Sequence, residues 1–248
     1  MEKIKQLIKK LEQDKSVKVL YACETGSRAW GFPSPDSDYD VRFIYMHPKD
    51  WYLHLGDKKD LIDEMNDDLD VVGWDLKKAL VLLKKSNAAL IERFQSPVQY
   101  LGNDEFVNRF KELIPSYYSP TAVFFHHYSL AQKFWSELKD QEEYKLKAFF
   151  YLIRSLFSCE WIIQNDAVVP MDMPGLLTYA DSEIKQRLDE LIKLKATVSE
   201  KYFHTKDEYF DQWIKQALQK AELHKDKLGV SKEKNYAKLD KFFIDILI

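Results

Sequence analysis

Apolar and polar positions recur with two different periods in the first hundred residues, and these periods separate helices from strands. Residues 2–14 place four aliphatic side chains on one helical face: Ile4, Leu7, Ile8 and Leu11. Lys18–Glu24 is a short β-branched and aromatic run, typical of a buried strand. A period of two predicts a second strand over Asp38–Met46 and a third over Asp68–Asp75. Helical spacing follows from Leu76.

The pattern changes near Asn103, where long helical stretches begin that are separated by prolines. Ser96–Asn103 is therefore the best candidate for a boundary. We predict an α/β domain over 1–102 and an all-helical domain over 103–248.

Composition narrows the class of protein. The chain has 248 residues and 46% hydrophobic residues, enough for one large domain or two modest ones with buried cores. No apolar run approaches the ~20 residues of a membrane helix, and charges interrupt the N-terminal helix, so we expect a cytoplasmic protein. Cys23 and Cys159 lie in apolar surroundings and are expected to be reduced core thiols.

Charge is unevenly distributed although the formal net charge is only −3, which does not by itself indicate nucleic-acid binding. Eight acids, Asp67 among them, stand against two lysines between Asp57 and Asp75. Most of this run is expected to be a solvated loop, with one or two acids as exceptions.

Asp38 and Asp40 stand two residues apart at the start of the second predicted strand, so we expect both carboxylates on one face. A third acid on a neighbouring strand would complete a cluster. Such a cluster repels itself unless a divalent cation neutralises it, and Mg²⁺ matches hard oxygen ligands together with substrate phosphates. Two metals held in this way can activate a hydroxyl and stabilise a leaving phosphate.

Gly26 and Ser27 follow the first strand directly. A glycine at such a turn lets backbone amides approach phosphate oxygens, and the serine hydroxyl adds a donor. We therefore expect this turn to hold a triphosphate beside the aspartates.

The order of strand, Gly-Ser, a spacer of about ten residues and Asp-x-Asp on a strand resembles the DNA polymerase β nucleotidyltransferase superfamily. The surrounding sequence resembles the predicted nucleotidyltransferases called RNA-ligase-associated or RlaP-like. The resemblance lies in "GSRAWGFPSPDSDYDVRFIY" followed by "LDVVGWDLKKALVLLKKSN". The resemblance implies an α+β nucleotidyltransferase fold, with a small mixed sheet backed by helices and then an all-helical substrate-side module. It also implies magnesium, a nucleoside triphosphate and an RNA-processing setting.

The family pattern requires a third acid on a strand, and two positions compete for that role. Asp75 directly precedes a helical run, which favours a role as its N-cap. Asp70 lies within the strand and is the choice we make, with Asp75 as the rival. Their opposite parity means that a regular strand cannot direct both towards the metals.

Three arginines could meet an anionic substrate. Arg28 follows the serine and could reach a phosphate or remain exposed to solvent. Arg42 shares the face of Asp40 and could pair with that carboxylate instead. Arg154 interrupts a strongly apolar helix, where it must pair with a buried acid or line the cleft, and the resemblance favours the cleft.

The expected activity is transfer of a nucleotidyl group from an NTP to an acceptor hydroxyl. The expected catalytic and metal-binding residues are Asp38, Asp40 and Asp70. The expected substrate-binding residues are Gly26, Ser27, Arg28 and Arg154. RNA is the candidate acceptor. Two alternatives remain open, a non-catalytic nucleotide or RNA-binding module and nucleotidylation of a protein partner. His126 and His127 lack the spacing of a metal site.

Overall fold

The strand predicted from Lys18 lies inside a five-stranded mixed sheet in the computed structural model. Its strands are β1 (Lys18–Thr25), β2 (Tyr39–Met46), β3 (Leu61–Asn66), β4 (Leu69–Asp75) and β5 (Gln99–Gly102). Their spatial order is β3-β4-β2-β1-β5, with β2 and β4 parallel and the other neighbours antiparallel. The predicted α+β class with a small mixed sheet is confirmed.

The structure describes residues 1–66, 68–165, 167–229 and 235–248. Asp67, part of the predicted acidic loop, lies outside the described residues. Within them, no helix has both the length and the apolar composition that crossing a membrane requires. Cys23 and Cys159 are buried and free, as the sequence predicted.

Contacts divide the chain into two compact units. The first contains Met1–Ala29, Asp38–Tyr118 and Glu233–Ile248, and the second contains Trp30–Ser37 and Ser119–Lys232. This grouping follows spatial contact rather than sequence order, and the predicted domain limits of 1–102 and 103–248 stay a prediction.

Local sequence signals account for several helix starts in the first unit. Asp75, Asn87 and Asn103 each accept a hydrogen bond from a main-chain N–H in the first turn of the helix that follows, which satisfies a donor that the helix itself leaves open. The helices are α1 (Glu2–Lys15), α2 (Gly26–Trp30, directly after β1), α3 (Lys49–Leu53), α4 (Leu76–Lys84), α5 (Ala88–Arg93), α6 (Asp104–Tyr117) and, near the C-terminus, α12 (Ala237–Leu247).

The two faces of the sheet differ as the alternation in β2 predicts. Val41, Phe43 and Tyr45 are fully buried in the core that α1 covers. Asp40 and Arg42 lie on the opposite face and remain partly exposed. The pleat therefore brings the polar positions of β2 to one side, where chemistry is accessible.

The sequence pattern did not predict two strands, β3 and β5, which form the two edges of the sheet. β3 has the acidic sequence "LIDEMN", so the predicted loop was wrong over Leu61–Asn66. An edge strand can carry exposed charges, which discourage pairing with other chains. β5 has four residues, too few to show a clear period, and it lies within the predicted boundary segment Ser96–Asn103.

In the residues of the second unit that the structure describes, the regular elements are helices and one short two-stranded ribbon. Its elements are α7 (Pro120–Leu138), β6 (Glu143–Lys145), α8 (Leu146–Gln164), α9 (Met173–Leu176), a 3-10 helix (Leu177–Tyr179), α10 (Ser182–Lys195), β7 (Phe203–Thr205) and α11 (Glu208–Lys225). The ribbon pairs β6 with β7 and corrects the all-helical prediction. Strands of three residues carry no detectable alternation.

The proline-rich spacer Trp30–Ser37 belongs to the second unit and is held by specific contacts. Phe32 is fully buried and stacks on Phe150, with ring centroids 4.9 Å apart. The buried Lys195 donates a hydrogen bond of 2.9 Å to Ser34. The spacer is therefore a packed segment, consistent with the rigid turn that its composition predicts.

Candidate functional site

Asp40 and Asp70 occupy directly paired positions on β2 and β4. The same Nη2 nitrogen of Arg42 lies 2.9 Å from Asp40 Oδ1 and 2.7 Å from Asp70 Oδ2. Arg42 Nη1 also donates to the main-chain carbonyl of Asp70 at 2.8 Å. The side chains of Asp40 and Asp70 are 26% and 28% exposed, so both carboxylates are accessible to solvent. The cation that they share is the guanidinium of Arg42.

Gly26 adjoins this pair, and its missing side chain is what leaves room for Asp40. The residue has φ +62, in the left-handed region that favours glycine. A Cβ placed on it would lie 1.9 Å from Asp40 Oδ2, far inside van der Waals contact. The Gly-Ser turn and the Asp-x-Asp strand are therefore in direct steric contact, as their order in the sequence led us to expect.

Glu24 anchors the main chain of Asp40, and the sequence analysis did not select it. Its Oε1 accepts the N–H of Asp40 at 2.8 Å, and Oε2 accepts a hydrogen bond from the hydroxyl of Tyr100. Thr25 Oγ1 donates to the carbonyl of Asp40 at 3.2 Å. Burial raises the pKa of Glu24, and the hydrogen bonds that Glu24 accepts from Tyr100 and from the N–H of Asp40 oppose that shift. A glutamate near the end of an otherwise apolar strand was the available signal.

Ser27 and Arg28 continue the turn within α2. Ser27 is buried. Arg28 Nε donates to the main-chain carbonyl of Asp38 at 3.2 Å, and its guanidinium lies 4.0 Å from the centroid of the Tyr39 ring. Arg28 therefore connects the Gly-Ser turn to the entry of β2. Its predicted contact with a substrate phosphate stays a prediction.

Asp38 differs from its partner in the Asp-x-Asp motif. It is exposed and precedes the first residue of β2, so the pleat of that strand does not determine its direction. Across the described residues, no group of three or more histidine, cysteine, aspartate or glutamate side chains could hold a metal ion. The structure thus brings Asp40 and Asp70 together and leaves Asp38 outside a three-acid cluster.

Asp75 has the capping role that was predicted for it. Its Oδ1 accepts the N–H of Lys77 at 2.8 Å at the start of α4, and its Oδ2 accepts the hydroxyl of Tyr52 at 2.7 Å. It is buried, and burial raises its pKa. Asp75 lies at the opposite end of β4 from Asp70, so only Asp70 adjoins Asp40.

Arg154 is buried within the second unit. Its Nε and Nη2 donate to the main-chain carbonyl of Met171 at 3.1 and 3.0 Å, and its guanidinium lies 4.3 Å from the centroid of the Trp30 ring. Both contacts stabilise a charge that lies inside an apolar helix. The predicted contact of Arg154 with a substrate stays a prediction.

Comparison with known proteins adds the family. A family model described as "RlaP: RNA repair pathway DNA polymerase beta family" matches residues 1–245. The chain belongs to this family. Membership confirms the resemblance that was found in the Gly-Ser and Asp-x-Asp motifs, and it makes the chain a nucleotidyltransferase-like protein.

Comparison also found similarity to two individual proteins. The uncharacterized protein YcgL of Bacillus subtilis (strain 168) is 34% identical over 236 residues, which cover 92% of this chain and 91% of YcgL. A crystal structure of a nucleotidyltransferase-like protein from Exiguobacterium sibiricum 255-15 aligns with 98% of this chain and 79% of its own, at 11% identity and a TM-score of 0.29. That score is too low to establish a common arrangement.

The donor set of the RlaP-family site fits a hard divalent cation in its chemistry. Asp40 and Asp70 present carboxylate oxygens from paired positions, and both already contact one shared positive charge. Arg42 supplies that charge here. A metal ion at this position would therefore share the carboxylates with Arg42 or displace it.

Proposed function

We propose that the protein is a magnesium-dependent nucleotidyltransferase that moves a nucleotidyl group from an NTP to an acceptor hydroxyl and releases pyrophosphate. The observation that carries the proposal is the pairing of Asp40 with Asp70 directly beside Gly26. Membership of a nucleotidyltransferase-like family supports the reaction class, and the family's description points to RNA as the acceptor.

Each part of the site has a role in this proposal. Asp40 and Asp70 would hold Mg²⁺, and Asp38, which the structure leaves outside their pair, would have to turn towards the ion to become a further ligand. Substrate phosphate oxygens complete the ligand set, because Mg²⁺ in such sites is bound by one or two carboxylates plus phosphates. When bound, the metal neutralises charge on the phosphates and lowers the pKa of an attacking hydroxyl.

The protein's own contribution is positioning. Glu24 and Thr25 hold the main chain of Asp40, so its carboxylate needs little reorganisation to meet a substrate. The amides of the Gly26-Ser27 turn face the triphosphate. Arg42 keeps the two carboxylates together before substrate arrives, because two adjacent carboxylates would otherwise repel.

The test is incorporation of label from an α-³²P-labelled NTP into RNA in the presence of Mg²⁺. Asp40→Asn should abolish incorporation and leave the fold intact. Asp63→Asn makes the same chemical change at an exposed position of β3 and serves as the matched control. Equal incorporation by the wild type and Asp40→Asn would contradict the proposal, and label found in protein instead of RNA would identify a protein acceptor.

A non-catalytic nucleotide or RNA-binding module is the second candidate. It is favoured by the guanidinium of Arg42 between the two carboxylates and by the lack of a three-acid group among the described residues. Calorimetry with an NTP separates the two functions. NTP binding that requires Mg²⁺ supports the enzyme, whereas RNA binding without it supports the module.

A further inference from the structure

A cavity of about 620 Å³ opens in the first unit, next to the end of β4 that lies away from Asp70. Residues of α3, the segment before β3 and one face of α4 line it. Asp75 lies at its wall, five positions along the strand from Asp70. At ~3.3 Å per residue the cavity is roughly 17 Å from the Asp40–Asp70 pair, so it is a separate site.

Lysines dominate the accessible charge of this cavity. Four lysines line it, Lys58, Lys77, Lys78 and Lys85, against three acids, Asp57, Asp60 and Asp75. Two of the acids are already engaged, because Asp60 pairs with Lys78 at 2.7 Å and Asp75 accepts the Tyr52 hydroxyl and a helix N–H. The Asp60–Lys78 pair cancels, which leaves Lys58, Lys77 and Lys85 against the exposed Asp57 and the buried Asp75.

Lys77 and Lys85 are two exposed cations that a ligand in the cavity could reach. Both are exposed, and neither side chain forms an ion pair or hydrogen bond within the described part of the chain. They lie eight residues apart at opposite ends of α4, roughly 12 Å along the helix axis at 1.5 Å per residue. One phosphate group cannot bridge that distance, whereas successive phosphates of a strand can.

Aromatic rings form the facing wall. Trp51 stacks on His47 with ring centroids 3.8 Å apart and an angle of 10° between planes, which holds the indole in a fixed orientation. Tyr52 packs against Trp51 edge to face. The ammonium group of Lys58 lies 4.5 Å from the centroid of the Trp51 ring. Aromatic rings beside lysines are the combination that binds the bases and phosphates of single strands.

We infer that this cavity binds single-stranded RNA, with Lys77 and Lys85 on successive phosphates and the Trp51 wall against a base. The cavity's volume is in the range of ligand sites, and its open, basic face suits a polyanion. The inference rests on the proposed function only for the role of the strand, which is the acceptor held beside the reaction site.

The experiment measures binding of a fluorescein-labelled oligouridylate, about 12 nucleotides long, by anisotropy at several salt concentrations. Lys77→Gln with Lys85→Gln removes the two charges that α4 presents to the cavity without an ion pair among the described residues. Lys9→Gln with Lys10→Gln makes the same charge change on the exposed face of α1 and is the matched control. Circular dichroism confirms that both double variants are folded.

The expected result is specific to the cavity. The Lys77/Lys85 variant should bind roughly tenfold more weakly, and the slope of log K against log salt should fall by roughly 1.4, since each lost phosphate contact contributes ~0.7. The Lys9/Lys10 variant should bind RNA with nearly the affinity and nearly the salt slope of the wild type. Trp51→Leu should weaken binding by roughly fivefold or more without changing the slope, because stacking releases no counterions.

Three results would overturn the inference: no RNA binding by the wild type, equal losses in the two lysine variants, or ATP binding at Lys77 and Lys85 as tight as RNA binding, which would assign a mononucleotide site. Asp40→Asn separates this inference from the proposed function. It should lose transfer and keep the RNA affinity. RNA binding through the cavity without any transfer would refute the proposed function alone.

Discussion

Asp40 and Asp70 stand at directly paired positions of the parallel strands β2 and β4. The pairing forces two carboxylates into proximity, and the Arg42 guanidinium contacts both. Because the two carboxylates repel each other, we expect the stability and the activity of the site to depend on the cation between them, on the space that Gly26 leaves for Asp40, and on Asp70 rather than Asp75.

Replacing Arg42 by glutamine should expose the repulsion between the two aspartates. In EDTA we expect the free energy of unfolding to fall by about 1–3 kcal/mol, because two partly buried carboxylates lose their counterion. Mg²⁺ should restore more stability to the variant than to the wild type. Urea unfolding with EDTA or Mg²⁺ measures both effects.

Lys15→Gln is the control for this prediction. It removes the ion pair of Lys15 with Glu64, whose side chains are 46% and 39% exposed. An exposed pair should contribute at most ~1 kcal/mol, with no dependence on Mg²⁺. If Mg²⁺ stabilised Arg42→Gln no more than the wild type, the aspartate pair would not be a divalent-cation site.

Gly26→Ala should be more destabilising than Gly31→Ala, although both glycines have positive φ, +62 and +95. At Gly31 the nearest atom to an added Cβ is 3.8 Å away, so only backbone strain of about 1–2 kcal/mol is expected. At Gly26 the Cβ would collide with Asp40, which adds about 1–3 kcal/mol and displaces the carboxylate. Denaturant unfolding gives the difference. Comparable losses in the two variants would show that Asp40 moves aside freely.

Asp70 and Asp75 should separate activity from stability. Asp70→Asn is expected to abolish nucleotidyl transfer with a small change in stability. Asp75→Ala should lower the free energy of unfolding by about 1–3 kcal/mol, because it removes the cap of α4 and the acceptor of the Tyr52 hydroxyl. Transfer assays and unfolding curves on both variants test this. Loss of activity in folded Asp75→Ala with activity retained in Asp70→Asn would reverse the assignment.

Lys195 should make stability rise with pH in the alkaline range. Burial lowers its pKa below the ordinary value of 10.5, while Glu200 and Asp36 oppose that shift. Between the lowered pKa and 10.5 the folded protein binds fewer protons than the unfolded chain, so the free energy of unfolding increases with pH. This contribution is complete above 10.5 and disappears as the pH falls through the lowered pKa.

Lys195→Met isolates this contribution, because methionine does not titrate. The free energy of unfolding of the wild type, minus that of the variant, should increase as the pH rises towards 10.5. Urea unfolding at a series of pH values measures this difference. A difference independent of pH would mean that the buried ammonium group has its ordinary pKa when folded.

Local features were predictable from the sequence because they depend on residues close together in the chain. The alternation in β2, the cap at Asp75 and the Gly-Ser turn each involve only a few consecutive positions. The strand β3 was not predictable in this way. Its acids resemble a solvated loop, and only pairing with β4 makes it a strand.

Much of the site depends on longer-range packing. The contact of Glu24 with the main chain of Asp40 follows from the antiparallel pairing of β1 with β2, which a single sequence does not reveal. The hydrogen bond from Arg154 to the main-chain carbonyl of Met171 likewise depends on packing between segments, while the predicted contact of Arg154 with a substrate stays a prediction.

Motif order and hydrophobic period were enough to identify the family, the strands β1, β2 and β4, and the acids of the candidate site. Folding was needed to show that Asp70 rather than Asp75 adjoins Asp40, and that Arg42 contacts both Asp40 and Asp70. The reason is strand register, which is set by burying one whole face of the sheet and not by the few residues around each aspartate.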